Sequence, residues 1–142
     1  MSRKADLRGF TLIEMLVVVV VIGMLASLVG PMVFRNLGDA KVSAAKAQLE
    51  LFGMALDQYR LDNDDYPSTA QGLDALWEEP RTDPVPRNWR GPYLKKAPPP
   101  DPWGRVYLYR YPGEQHPNAY DLISYGRDGK PGGEGEDLDI LP

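Results

Sequence analysis

Phe10-Thr11-Leu12-Ile13-Glu14, the opening of the run FTLIEMLVVVVVIGMLASLVGPMV from Phe10 to Val33, decides how this chain is organised. The run is apolar almost throughout, and at about 1.5 Å of rise per helical residue it reaches across a bilayer core of about 30 Å. What remains after it is roughly 105 residues, enough for one small domain. Ahead of it, Met1 to Gly9 forms a polar leader in which Arg3, Lys4 and Arg8 outnumber Asp6. A positive flank stays on the cytoplasmic side, so the domain after the run is expected across the membrane. The apolar stretch exceeds the roughly 7 to 15 residues of an ordinary secretory signal, and no small-residue cleavage motif follows it.

Two residues interrupt the apolar pattern. Glu14 would cost about 2.5 kcal/mol or more if left unpaired in the lipid centre, less near the interface, so a partner is expected for it. Pro31 removes a backbone donor and clashes with the preceding turn, so a kink or a local break in the helix is expected there.

Beyond the run, Val42, Ala45, Leu49, Phe52, Leu56 and Tyr59 recur at spacings of three and four, the pattern of an amphipathic helix ending near Asn63. Lys41, Lys46, Glu50, Asp57 and Arg60 occupy its other face. From Tyr66 to Trp103 repeated prolines exclude long helices and central strands. Only Ala70 to Glu79 could form a short helix, capped by Ser68 or Thr69. Trp77, Trp89, Tyr93, Leu94 and Trp103 supply apolar anchors, so this stretch reads as an ordered loop. Val106 to Tyr111 and Tyr120 to Tyr125 then read as an antiparallel strand pair around a Pro/Gly turn, with Tyr93 and Leu94 adding a third strand. The fold class is α+β: one long N-terminal helix, membrane-spanning in its first half and amphipathic in its second, packed on a small antiparallel sheet.

Composition removes several functions. With no cysteine the chain has no disulfide, thiolate nucleophile or Cys-based zinc site. Its net charge of -4 and the lack of a basic stripe argue against nucleic-acid binding. His116 is the sole histidine and sits in a Pro/Asn turn, and no phosphate-cradling or nucleophile-elbow motif is present. The chain therefore reads as a non-enzyme.

The stretch from Ser124 to Asp139 gathers carboxylates at both ends of a glycine-rich segment. Glycines allow left-handed backbone, and hard oxygen donors in a flexible loop suit calcium better than magnesium, which demands a tight octahedron. The spacing fits an EF-hand poorly, and Gly132 to Asp137 is a single GGxGxD half-repeat where a beta roll needs stacked copies. On residues alone, a solvated acidic turn built on Asp128-Gly129 fits as well.

The junction Gly9-Phe10-Thr11-Leu12-Ile13-Glu14 resembles the prepilin signal of type IV pilins and type II secretion pseudopilins. Tyr66-Pro67-Ser68-Thr69, Gln71-Gly72-Leu73, Tyr93-Leu94-Lys95-Lys96 and Asp101-Pro102-Trp103-Gly104 resemble, in order, the signatures of the major pseudopilins. The resemblance implies cleavage between Gly9 and Phe10 by a membrane-embedded prepilin peptidase and methylation of the new Phe10 amine. It implies that Glu14 pairs with the Phe10 amine of a neighbouring subunit during assembly, and that the helix unwinds near Pro31 in the filament. It implies one structural calcium ion held by Asp128, then Asp137 and Asp139, with Glu136 a further candidate and Tyr125 and Lys130 giving carbonyls. The organisation becomes a leader 1–9, a membrane and assembly helix 10–34 and a periplasmic domain 35–142. The implied function is the major subunit of a helical pseudopilus that drives folded proteins through an outer-membrane secretin, anchored first in the bacterial inner membrane. Minor pseudopilins and an inner-membrane assembly platform are the further partners implied. The alternatives are a subunit of an adhesive or motility type IV pilus, which usually closes its C-terminal region with a disulfide, and a monomeric anchored calcium-binding domain.

Overall fold

The computed structural model describes residues 9–142, so the leader expected over Met1 to Gly9 lies, apart from Gly9, outside the described residues. Helix α1 spans Leu12–Asn63. The chain divides into two compact units, one ending at Leu37 and the other Gly38–Pro142.

In the first unit α1 buries nothing. Its large apolar side chains from Phe10 to Leu37 are between 45% and 87% exposed. An apolar surface of that extent marks a surface awaiting lipid or protein. This is the one stretch among the described residues long and apolar enough to cross a membrane. Pro31 lies inside the helix, and in place of the expected break helical structure continues through it in the single chain. A proline deletes only one ladder bond and crowds one carbonyl, a loss that the surrounding turns absorb here.

In the second unit the stripe read from spacing is the core face. Ala45, Leu49, Phe52, Leu56 and Tyr59 are buried against Tyr66, Leu73, Leu76, Tyr107, Tyr109, Leu122 and Ile140, with Val42 at the margin. Burying aliphatic and aromatic side chains of this size stabilises the fold by about 1.5 to 3 kcal/mol each. Phe52 meets Tyr107 edge to face with ring centroids 5.2 Å apart, and Tyr59 meets Tyr93 in the same way at 5.5 Å.

The sheet is smaller than expected. β1 is Leu108–Arg110 and β2 is Asp121–Ile123, paired antiparallel with Tyr109 opposite Leu122. β1 stops where the Thr69 hydroxyl takes both backbone groups of Tyr111, accepting from its N–H and donating to its carbonyl, each at 2.9 Å. Tyr93 and Leu94 form no third strand. Their N–H groups both donate to the Leu76 carbonyl, at 2.8 and 3.1 Å, and the prolines on either side leave no room for a ladder. The helix expected over Ala70 to Glu79 is reduced to a short 3-10 helix, Gly72–Leu76, and the left-handed φ of 62° at Gly72 keeps Ala70 and Gln71 out of it. Ser68 and Gln71 close its start reciprocally: the Gln71 N–H donates to Ser68 Oγ at 3.3 Å and the Ser68 N–H to Gln71 Oε1 at 3.0 Å.

Asp101 ties this loop to the sheet. It is 4% exposed, and its carboxylate accepts the N–H groups of Trp103 (3.1 Å) and Arg105 (2.8 Å) and the Ser124 hydroxyl (2.7 Å). Ser124 in turn bridges Ile140 through both backbone groups, at 3.0 and 2.8 Å. His116 places Nδ1 3.0 Å from Asp121 Oδ1, and Asp121 also accepts the N–H groups of Glu114 and Gln115. Burial pushes the Asp121 carboxyl up, but the Gln115 N–H, His116 and the Glu114 N–H outweigh it and leave the group below the usual carboxylate range. The lone histidine thus serves to close a turn.

Candidate functional site: the helix start and the carboxy-terminal loop

Gly9, Phe10 and Thr11 precede the first helical turn in irregular backbone, and Phe10 is exposed. Thr11 and Glu14 form a capping box. The Glu14 N–H donates to Thr11 Oγ1 and the Thr11 N–H to Glu14 Oε2, both at 3.3 Å. The T-x-x-E spacing carries this signal plainly in the sequence, and it gives Glu14 an intramolecular role in the single chain beside the intersubunit one expected for it.

The carboxy-terminal loop closes on itself. The Arg127 N–H donates to the Glu136 carbonyl at 2.7 Å, and the Gly129 N–H to the Tyr125 carbonyl at 3.2 Å. Gly126 has a φ of 59°, and a Cβ there would lie 2.4 Å from the Glu136 carbonyl oxygen, so the crossing of the two loop arms requires glycine. Arg105 supports the loop from outside by donating Nη1 to the Gly126 carbonyl at 3.0 Å and also to that of Arg127.

The six residues expected to hold calcium all lie in or beside this loop, yet they point to different partners. Asp128 Oδ1 accepts the Lys130 N–H at 3.0 Å, and Asp139 Oδ2 accepts the Gly132 N–H at 3.0 Å. Asp137 is held by Arg127, Nε to Oδ1 and Nη2 to Oδ2, both 2.9 Å. Those bonds, joined by the Arg127 charge and the Asp128 N–H, outweigh the opposing effect of burial and hold the Asp137 carboxyl below its usual range. Glu136 turns towards α1, accepting the Trp103 indole N–H at 3.4 Å, and its side chain fills the space a Cβ on Gly38 would need. Among the described residues no three His, Asp or Glu side chains stand together as a metal-holding group. One atom does look for a partner: Asp139 Oδ1 is buried and makes no hydrogen bond. A buried, unsatisfied carboxylate oxygen is donor chemistry that a hard cation fits. Arg127 and Trp103 as partners of the loop carboxylates escape sequence reading, Trp103 because it is met across 33 residues and Arg127 because the folding of the glycine-rich loop alone decides which carboxylate it meets.

The description "Type II secretion system (T2SS), protein G" matches residues 32–142, and "Prokaryotic N-terminal methylation motif" matches residues 7–30. This chain belongs to the type II secretion system protein G family. The family's core protein G of Pseudomonas aeruginosa is 52% identical over 133 residues, covering 93% of this chain and 92% of that one. The core protein G of Vibrio cholerae is 45% identical over 141 residues, covering 99% and 94%. The crystal structure of the major pseudopilin from the type 2 secretion system of enterohaemorrhagic Escherichia coli superposes with a TM-score of 0.63 at 40% identity, covering 74% of this chain and 84% of that one. The long helix on a small antiparallel sheet is thus a pseudopilin-like fold, and family membership favours the secretion reading of the chain over the type IV pilus reading.

Proposed function

We propose that this chain is the major structural subunit of a type II secretion pseudopilus, a non-enzymatic building block that polymerises through its apolar helix. The observation that supports this reading most is the half of α1 with every large apolar side chain exposed, carried by a small folded domain. Such a surface suits storage in a bilayer and then burial against copies of itself. Heterologous, non-closing contacts between copies generate a helical filament.

In this reading a prepilin peptidase cuts between Gly9 and Phe10 and the new Phe10 amine is methylated. The N-terminus faces the cytoplasm and the domain the periplasm. Minor pseudopilins, an inner-membrane platform and an outer-membrane secretin are the partners, and the helix unwinds near Pro31 as the filament forms. Deleting the gene is expected to trap folded substrates in the periplasm, and restoring the chain to release them. Secretion that persists in the deletion would overturn the proposal.

The carboxy-terminal loop holds calcium in this reading. Asp128 and Asp139 are the carboxylates available to it, and the carbonyls of Tyr125 and Lys130 complete an oxygen-rich set. The ion would neutralise the loop and clamp it, in a chain without disulfides. Full-length protein in detergent is expected to melt at higher temperature with calcium than with chelator. A ligand binding only the folded state contributes about 2.7 kcal/mol at a hundred times its dissociation constant. Asp128→Ala is expected to remove most of the difference, and identical melting with and without calcium would remove the ion from the account.

A further inference from the structure

Resting on the calcium reading above, we infer that Arg127 is a built-in competitor of the cation, holding Asp137 until a divalent ion displaces it. Four facts of the loop lead there. The guanidinium grips both oxygens of Asp137 as a fork, at 2.9 Å each. Its Nη1 also stands 3.8 Å from Glu136 Oε1. The Arg127 backbone N–H closes the loop on the Glu136 carbonyl. Asp139 Oδ1, on the other arm, is left buried without a partner.

A metal-free loop with this many carboxylates repels itself, and a planar fork on a carboxylate is the arrangement that offsets such repulsion most specifically. The same fork makes Asp137 unavailable, because a guanidinium and a dication cannot share one carboxylate without repelling each other. Asp137 therefore joins the ion only when Arg127 swings out. Arg127 is more than half exposed, so water is open to receive it. The consequence is a loop pre-closed without metal and tuned to weaker calcium binding than its carboxylates alone would give.

The experiment is a double-mutant cycle read by calcium titration calorimetry on the full-length chain in detergent, with circular dichroism to establish that each variant is folded. Arg127→Ala is expected to tighten calcium binding by about ten-fold, an ordinary size for coupling between two ligands of one group. In the wild-type background Asp137→Asn should change affinity little, and in the Arg127→Ala background it should erase the gain. Binding by Arg127→Ala alone, with none by wild type, supports the inference as well. Equal or weaker binding by folded Arg127→Ala, or a cost of Asp137→Asn that is the same in both backgrounds, overturns the competitor role and leaves the calcium reading standing. If no variant binds calcium, both fall together.

Discussion

Pseudopilus yield is expected to fall to background when Glu14 is replaced by Gln, with as much chain in the membrane as in wild type. The choice of Gln matters because Glu14 has two tasks. In the single chain it closes the capping box with Thr11, and Gln can do the same. What Gln lacks is the charge that would pair with the Phe10 amine of the next subunit. A hydrogen bond involving a charged group contributes about 1.5 to 3 kcal/mol, and more where the surroundings are apolar. Since 1.4 kcal/mol is roughly a factor of ten in an equilibrium, each addition to the filament would weaken by about ten-fold or more. Glu14→Ala also removes the acceptor of the Thr11 N–H, while the N–H at position 14 still reaches Thr11 Oγ1, so the helix start loses the reciprocal half of the capping box. If Glu14→Gln assembled normally and only Glu14→Ala failed, capping would be the residue's whole contribution.

Asp101→Ala is expected to lower the stability of the folded domain by about 3 kcal/mol, because it strands a buried hydroxyl and two part-buried N–H groups, and a fully buried donor alone costs about 1 to 3 kcal/mol when left unmet. The three donors are the Trp103 and Arg105 N–H groups and the Ser124 hydroxyl, and Ser124 is itself 1% exposed. In a domain of this size that loss lowers Tm by roughly 10 to 20 °C. Ser124→Ala leaves the Asp101 carboxylate engaged elsewhere and strands only the Gly126 N–H, which the Ser124 hydroxyl accepts at 3.4 Å, so it is expected to cost less, about 1 to 2 kcal/mol. Thermal melting followed by circular dichroism checks both. Equal Tm values for the two variants would show that Asp101 acts only through Ser124.

Periodicity made α1 legible: the spacing of Val42 through Tyr59 located both its buried face and its end at Asn63. The strand pair was legible for the same reason, as β-branched and aromatic alternation around a turn. Its ends were not, because β1 is stopped by Thr69, more than forty residues away, whose hydroxyl competes with the ladder. Tyr93 and Leu94 have strand-like side chains, yet the Leu76 carbonyl captures their N–H groups. In the loop, sequence located the acidic residues and could not sort them. Whether a carboxylate oxygen faces an arginine, an indole or nothing depends on how several left-handed glycines turn the backbone.

Trp103 carries one more consequence. Its indole N–H rests on Glu136, inside the carboxy-terminal loop, while the indole N–H of Trp89 is bonded to the Ala75 carbonyl in the proline-rich segment. An indole beside a carboxylate changes its emission when that carboxylate moves. The chain thus contains its own optical gauge of the loop, readable in a cuvette or in an assembled fibre without attaching a dye.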